Sequence, residues 1–533
     1  RKPEVLLAIL AVFLVGALAG VWLGRVGVPG LDDPPPRKIE EALDLIQQRY
    51  VDDRSANDLA AAAIDGMVDL LDPYSIYIDA RTIGPIQDEL EGEFGGVGIW
   101  FEMVSDSARV VSVIAGGPSD AVGVRAGDRI VAIDDSSCVG ENSLSIQRRI
   151  RGPAGEPVDL TIYRPLLRQQ FDVTVERAEI PIRSVEAAFR TNERRGYVRI
   201  SRFTAGTADE FRRSVSELMD EGPLDGLLID VRDNPGGIME AAVLVADEML
   251  PSGSRIVSTE GRGMDEHEIY TASDGGLLED VAILILVNQN SASASEILAG
   301  AIQDNDRGLV VGRPTFGKGL VQRQFMFSDG SALQLTVARY YTPSGRPIQN
   351  DLDRDVPTHF GVQREEPIAS EEPDSLIRFR TVHGREVLGG KGIYPDHVVS
   401  EDSTVSFFDL TFRTGLDLGF GRRWFDTHEP QMRESWSAKQ EDFASGFVVT
   451  DEMWRDFLEY ARDEAGPVYG DYGRSEIEQS RDRVSMLLKA RIAQSLFGPY
   501  MWFSIVSDVD PEISFAHRFW DEATSLPGLD SHR

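Results

Sequence analysis

Two almost wholly apolar stretches limit the folds open to this chain more than any other feature. Gly226-Leu227-Leu228-Ile229-Asp230-Val231 and Val281-Ala282-Ile283-Leu284-Ile285-Leu286-Val287 are short and bounded by turn residues, so each reads as a buried strand. Gly236-Gly237 leads from the first into a helix through Leu250. A second helix is expected over 294–302, followed by a strand at Leu309-Val310-Val311. Strands alternating with helices between residues 179 and 400 imply an α/β core.

The chain has 533 residues, more than one hydrophobic core accommodates, so several domains are expected. Residues 1–30 hold an uncharged run from Val5 to Gly24, preceded by Arg1 and Lys2 and followed by Arg25. At about 1.5 Å per residue such a run crosses a hydrocarbon core of about 30 Å. A membrane anchor with the remainder exported to the periplasmic or extracytoplasmic side of the cell envelope is the expectation. Ala17-Leu18-Ala19 leaves a cleaved signal peptide open. Residues 31–36, with Asp32-Asp33-Pro34-Pro35-Pro36, read as a stiff linker. A helical region over 37–90 follows, with Ile39, Leu43, Ile46, Leu59, Ala63 and Met67 at helical spacing; its helical run ends at Asp72-Pro73. Residues 401–533 form a helical, aromatic extension in which Met453, Trp454, Phe457, Leu458 and Ala461 share one face. Such stripes are packing surfaces, and no catalytic pattern accompanies them.

Residues 91–178 alternate like short strands. Phe94-Gly95-Gly96-Val97-Gly98-Ile99 opens the region, Val110-Val111-Ser112-Val113-Ile114 makes a strand, and Ala126-Gly127-Asp128 turns into another. This pattern resembles a PDZ domain. The resemblance implies that backbone N–H groups at Gly96, Val97, Gly98 and Ile99 receive a peptide's terminal carboxylate while the peptide adds as a strand. The glycines by themselves read equally as a tight turn.

Composition narrows the chemistry. With 54 basic and 88 acidic residues the formal charge is −34, which repels phosphates and argues against nucleic acid as a partner. The single cysteine, Cys138, permits no internal disulfide, and no Cys/His spacing suits a metal, so no cofactor is expected. Only six of the 54 basic residues are lysines: Lys2, Lys38, Lys318, Lys391, Lys439 and Lys489.

Three short segments stand out. Asn288-Gln289-Asn290-Ser291-Ala292-Ser293-Ala294-Ser295-Glu296 joins a buried strand to a helix, where free N–H groups and the helix dipole favour developing negative charge. Serine and asparagine also cap helices routinely, so this segment alone does not decide. Thr315-Phe316-Gly317-Lys318-Gly319-Leu320-Val321-Gln322 places a scarce lysine between two glycines. A serine nucleophile needs a base; a lysine can serve when neutral, whereas arginine does not give up its proton. A lysine in a surface turn is the plain alternative. Asp230-Val231-Arg232-Asp233-Asn234-Pro235-Gly236-Gly237 ends a strand in a glycine turn suited to an oxyanion, or simply to joining strand and helix.

Together these segments resemble the carboxyl-terminal processing, or tail-specific, proteases. The likeness runs from about Arg37 to Val399 and includes Leu71-Asp72-Pro73-Tyr74-Ser75, Tyr340-Tyr341-Thr342-Pro343-Ser344-Gly345-Arg346 and Gly392-Ile393-Tyr394-Pro395-Asp396. It implies a multidomain α/β fold, with a crotonase/ClpP-like protease core and an inserted PDZ domain. It further implies Ser293 as nucleophile, Lys318 as base and Gln322 orienting the amine. Gly237 and Ala294 would supply the oxyanion hole, with Asp230, Arg232 and Glu296 in support. Gly389-Gly390-Lys391-Gly392 departs from relatives that carry a fourth glycine, and the tail after Glu401 matches only a subset of them.

The expected activity is therefore endopeptidase cleavage near the tail of protein or peptide substrates with accessible apolar C-termini. A homo-oligomer is left open. Two rival readings are a proteolytically inactive PDZ scaffold of the envelope and a non-peptidase relative of crotonase or retinoid-binding type; the second would lack the Ser/Lys pair, and both residues are present here.

Overall fold

The two apolar runs lie side by side in one sheet. The computed structural model describes residues 35–530 apart from 105, 115, 166, 351–375, 400–405 and 437–438, so the expected membrane segment and its cleavage site lie outside the described residues. Among the described residues no helix is long and apolar enough to cross a membrane.

Residues up to Asp72 form a unit of their own, with helices Pro35–Arg49 and Ala56–Val68. The Ser55 hydroxyl caps the second, accepting the N–H of Asp58 at 3.4 Å. Pro35 and Pro36, read above as extended linker, stand in the first turn of a helix. N–H groups in the first turn have no intrahelical acceptor, so proline sacrifices no helix hydrogen bond there.

From Pro73 onward the chain builds the second unit. Its PDZ module is a sheet of β1 (Ile99–Val104), β2 (Ser107–Val113), β3 (Arg129–Ile133), β4 (Pro157–Arg164) and β5 (Gln169–Glu176), in that spatial order. Helix α1 (Ser143–Ile150) contributes Ile146 and Ile150 to a core with Val97, Val110, Ile130, Leu160 and Ile162. The chain enters and leaves this module through a two-stranded ribbon, Glu93–Gly96 against Ala178–Pro181.

The central sheet contains β6 (Val185–Asn192), β7 (Arg195–Ile200), β8 (Gly226–Asp230), β9 (Ala282–Val287), β10 (Gly308–Gly312) and β11 (His397–Val398), again in spatial order. All neighbours except β6 and β7 are parallel. Every residue of β8, β9 and β10 is buried, which is why those segments show no alternation. Helices α2 (Thr207–Asp220), α3 (Met239–Asp247) and α4 (Ala294–Asp304) supply Phe211, Ala242 and Leu298 to the core on one side. A separate core unites Leu228, Leu284, Leu286 and Leu309 with Ile513, Ala516, Trp520 and Leu526. The end of the helical extension thus covers the other face. Trp520 packs so closely that a methyl at Gly226 would stand 2.7 Å from its ring.

The remainder of the extension has its own aromatic core, including Phe407, Phe443, Trp454 and Phe457. Its longest helix, α5 (Leu416–Trp436), also touches the PDZ module: Arg422 pairs with Glu102 at 3.0 Å, and Asp426 with Arg109. A second sheet joins Ile76–Ile78, Ala332–Tyr341, Arg255–Gly261 and Glu268–Thr271, with Leu320–Met326 pairing to Ala332–Tyr341. The strand at Ile76–Ile78 falls within the region expected to be helical; its three residues carry too little pattern to be read alone.

Candidate active site

In parallel α/β sheets the carboxyl ends of the strands face the site. Here the turn after β9 carries Ser293 into the N-terminus of α4, with φ +55° and ψ −113°. A non-glycine residue in this conformation costs on the order of 1–3 kcal/mol and persists only when its surroundings impose it. The N–H of Glu296 bonds the Ser293 carbonyl at 2.8 Å rather than its hydroxyl, so that hydroxyl is not spent as a cap.

The turn after β8 is tied to this loop at several points. Ala292 N–H donates to the Asn234 carbonyl at 3.0 Å, Ser295 Oγ donates to the same carbonyl at 3.1 Å, and Ser291 Oγ donates to the Val231 carbonyl at 2.7 Å. Gly236 and Gly237 have φ of +99° and +137°. A methyl on Gly236 would lie 2.7 Å from Ser293 Cβ and 3.0 Å from the Ala294 nitrogen, so glycine is needed for the two turns to meet. The N–H groups of Gly237 and Ala294 have no acceptor among the described residues.

Lys318 lies on the segment from β10 to Leu320–Met326, where the chain passes between the two sheets. Its side chain is buried, with Nζ 4.5 Å from the centre of the Tyr74 ring. What joins Lys318 to Ser293 is Glu296. This carboxylate accepts the N–H of Ser293 (2.8 Å), Lys318 (2.8 Å) and Gly317 (2.7 Å), and the hydroxyl of Thr315 (2.5 Å). Burial pushes Glu296 up to about 7, while those four donors pull the other way. Tyr340 closes the cluster: its hydroxyl donates to the Lys318 carbonyl. Burial and the Glu296 charge hold that phenol well above its usual range, against a hydrogen bond with Ser293 that lowers it.

Asp230 and Arg232 stand just before the Gly236-Gly237 turn. Asp230 is fully buried and accepts from Tyr197 Oη (2.7 Å) and Arg232 Nη2 (2.7 Å), with Arg199 at 3.2 Å. Burial alone would raise this carboxyl; Arg232 and Arg199 outweigh it and hold it well below the carboxylate range. Gln322 lies opposite Thr336, at a bulge in Leu320–Met326, and its Nε2 is buried without an acceptor among the described residues.

Gly96, Val97, Gly98 and Ile99 open the PDZ module apart from this cluster. Val97 is buried, Gly98 has φ +72°, and Ile99 begins β1, which pairs only with β2 among the described residues. An open strand edge beside a glycine loop suits addition of a peptide strand. Among the described residues no group of His, Cys, Asp or Glu is gathered as metal ligands.

Tyr340, Tyr74 and Thr315 belong to the site although sequence reasoning assigned them no role. Tyr340 and Tyr74 fall in two of the segments that carry the family likeness, which was the available signal.

A strained serine at a strand-to-helix turn, a buried lysine whose backbone shares the Glu296 carboxylate with it, and a PDZ module upstream fit a serine-type peptidase acting at substrate C-termini. Residues 194–358 match the model of peptidase family S41 and residues 109–164 that of the PDZ domain. Residues 32–82 match the N-terminal domain of the activating protease CtpB, and residues 411–498 a family of unknown function. The carboxy-terminal-processing protease of Bartonella bacilliformis is 38% identical over 312 residues, covering 58% of this chain and 71% of that protein. A probable CtpA-like serine protease of Staphylococcus aureus is 33% identical over 340 residues, covering 62% and 67%. Among solved structures, the photosystem II D1 C-terminal processing protease is 26% identical, with TM-score 0.35, covering 68% of this chain and 92% of that one. The chain belongs to the carboxy-terminal-processing protease family.

Proposed function

We propose that cleavage runs through a Ser293–Lys318 dyad. The observation that carries this reading is the shared carboxylate of Glu296, which holds the backbones of both residues. A substrate's C-terminus docks on β1 and the loop at Gly96 to Ile99, and its preceding segment enters the site. Neutral Lys318 takes the Ser293 hydroxyl proton as Oγ adds to the scissile carbonyl. The N–H groups of Gly237 and Ala294 stabilise the oxyanion. The C–N bond then breaks, Lys318 returns the proton to the leaving amine, and water hydrolyses the ester at Ser293. Gln322 orients the lysine amine by accepting one of its N–H bonds through Oε1, which leaves the lone pair free for the serine proton.

The test is a set of three variants, Ser293→Ala, Lys318→Ala and Lys318→Arg, assayed on a protein with an apolar tail. All three should lose cleavage, and a sulfonyl fluoride should add mass to the native protein at Ser293 only. Native turnover by any of them rejects the dyad. The uncharged run from Val5 to Gly24 supports membrane anchorage of an extracytoplasmic enzyme, which fractionation of cells expressing the full chain would check.

A further inference from the structure

The acidic residues at the start of helix α6 (Pro511–Ala516) have no part in the chemistry above, yet they meet the exits of two strands that serve it. Arg232, between β8 and the Gly236-Gly237 turn, places Nη2 at 2.9 Å from Asp510 Oδ2 and Nη1 at 2.8 Å from Glu512 Oε2. The other oxygen of Glu512 lies 3.3 Å from Nη2 of Arg313, directly after β10 on the segment leading to Lys318. Strand β9, which delivers Ser293, runs between β8 and β10. One side chain of the extension therefore spans the strand that bears the nucleophile.

The clamp is held rigidly. Asp510 uses its second oxygen to cap α6, accepting the N–H of Glu512 at 2.8 Å and of Ile513 at 3.1 Å. Ile513 and Ala516 are buried against the central sheet. The side chains of Arg232, Asp510 and Glu512 are only 13%, 13% and 16% exposed, so water screens these charges weakly. Arg232 also bonds buried Asp230, and the next residues form the turn that meets Ser293.

We propose that Asp510 and Glu512 are positioning residues of the peptidase: through Arg232 and Arg313 they set the oxyanion turn and the base loop against Ser293. The helical extension then completes the active site rather than merely decorating the fold. This rests on the Ser293–Lys318 reading and on Gly237 and Ala294 as the oxyanion hole.

The test uses the full chain with Asp510→Asn, Glu512→Gln and Glu512→Asp, each nearly the native shape. The first two should lower kcat about tenfold or more on a tailed substrate and slow single-turnover acylation of Ser293, with KM within about twofold of native. Glu512→Asp should recover part of the loss. Glu522→Gln is the control: Glu522 is an extension residue that bonds His397 at 2.9 Å, on the edge strand, and kcat should not change. The proposal is overturned if Glu512→Gln keeps native kcat, or if its activity falls only in proportion to the unfolded fraction seen by circular dichroism. Failure of the underlying dyad would appear separately, as cleavage by Ser293→Ala protein.

Discussion

Glu296 holds the backbone N–H of Lys318 at 2.8 Å with Oε2, the oxygen that also takes the N–H of Ser293. Replacing the carboxylate by an amide of the same shape leaves one oxygen and turns an NH2 group toward donors. Hydrogen bonds to a charged group are worth about 1.5–3 kcal/mol, so Glu296→Gln should lower kcat by about 10- to 100-fold with little change in KM. Single-turnover kinetics on a tailed substrate would measure it; an unchanged kcat would show that the two loops hold their places without the carboxylate.

The same residue makes stability depend on pH. Burial raises Glu296 from 4.5 to about 7 in the folded chain, so between those values the folded state binds more protons than the unfolded one. Stability from this group is therefore present below about 4.5 and is lost as pH rises through about 7. Urea unfolding at about pH 5 and pH 8 should show the native protein's advantage over Glu296→Gln shrinking with pH, by on the order of 3 kcal/mol. An advantage that grows instead would contradict the sign.

Tyr340→Phe removes the hydroxyl that donates to the Lys318 carbonyl. One neutral hydrogen bond contributes about 0.5–1.5 kcal/mol, so kcat should fall by about 2- to 12-fold while substrate docking at the PDZ module is untouched. A change confined to KM would place the phenol's role elsewhere.

Gly236→Ala should be far more damaging than its size suggests. The added methyl meets Ser293 Cβ at 2.7 Å, in a backbone conformation with φ +99°. We expect destabilisation on the order of 1–3 kcal/mol and loss of labelling at Ser293, read by thermal melting and by mass after sulfonyl fluoride treatment.

At the PDZ module the terminal carboxylate is the group to alter. Amidating the C-terminus of a tailed substrate should raise KM about tenfold or more and leave kcat near native, because the loop at Gly96 to Ile99 lies apart from Ser293. Gly98→Ala, which brings a methyl to 3.1 Å from Pro118 Cδ at φ +72°, should mimic that effect on the unmodified substrate.

What could be read from sequence follows from range. Strands β8, β9 and β10 were legible because burial on both faces writes a continuous apolar run. The turns bearing Gly237, Ser293 and Lys318 were visible as local glycine and small-residue patterns, though each had an ordinary structural reading as well. The joint acceptor was not visible: Glu296 takes donors from Thr315, Gly317 and Lys318, which only the fold brings to it. Distance along the chain hid Glu512 still more thoroughly, since 280 positions separate it from Arg232 and its surroundings look like any amphipathic helix. Pro35 and Pro36 misled because proline marks both extended linkers and helix starts.

The sheet face lined by Leu228, Leu284, Leu286 and Leu309 is covered by Ile513, Ala516, Trp520 and Leu526. On the ribosome those strands emerge long before their cover does. Until the later helices are made, a broad apolar surface stays open, and the segment that clamps Arg232 does not yet exist. Nascent chains of this enzyme should need a chaperone to shield that face. By the same timing, if Asp510 and Glu512 set the site as proposed, full activity should appear only once the end of the extension has been made and has docked.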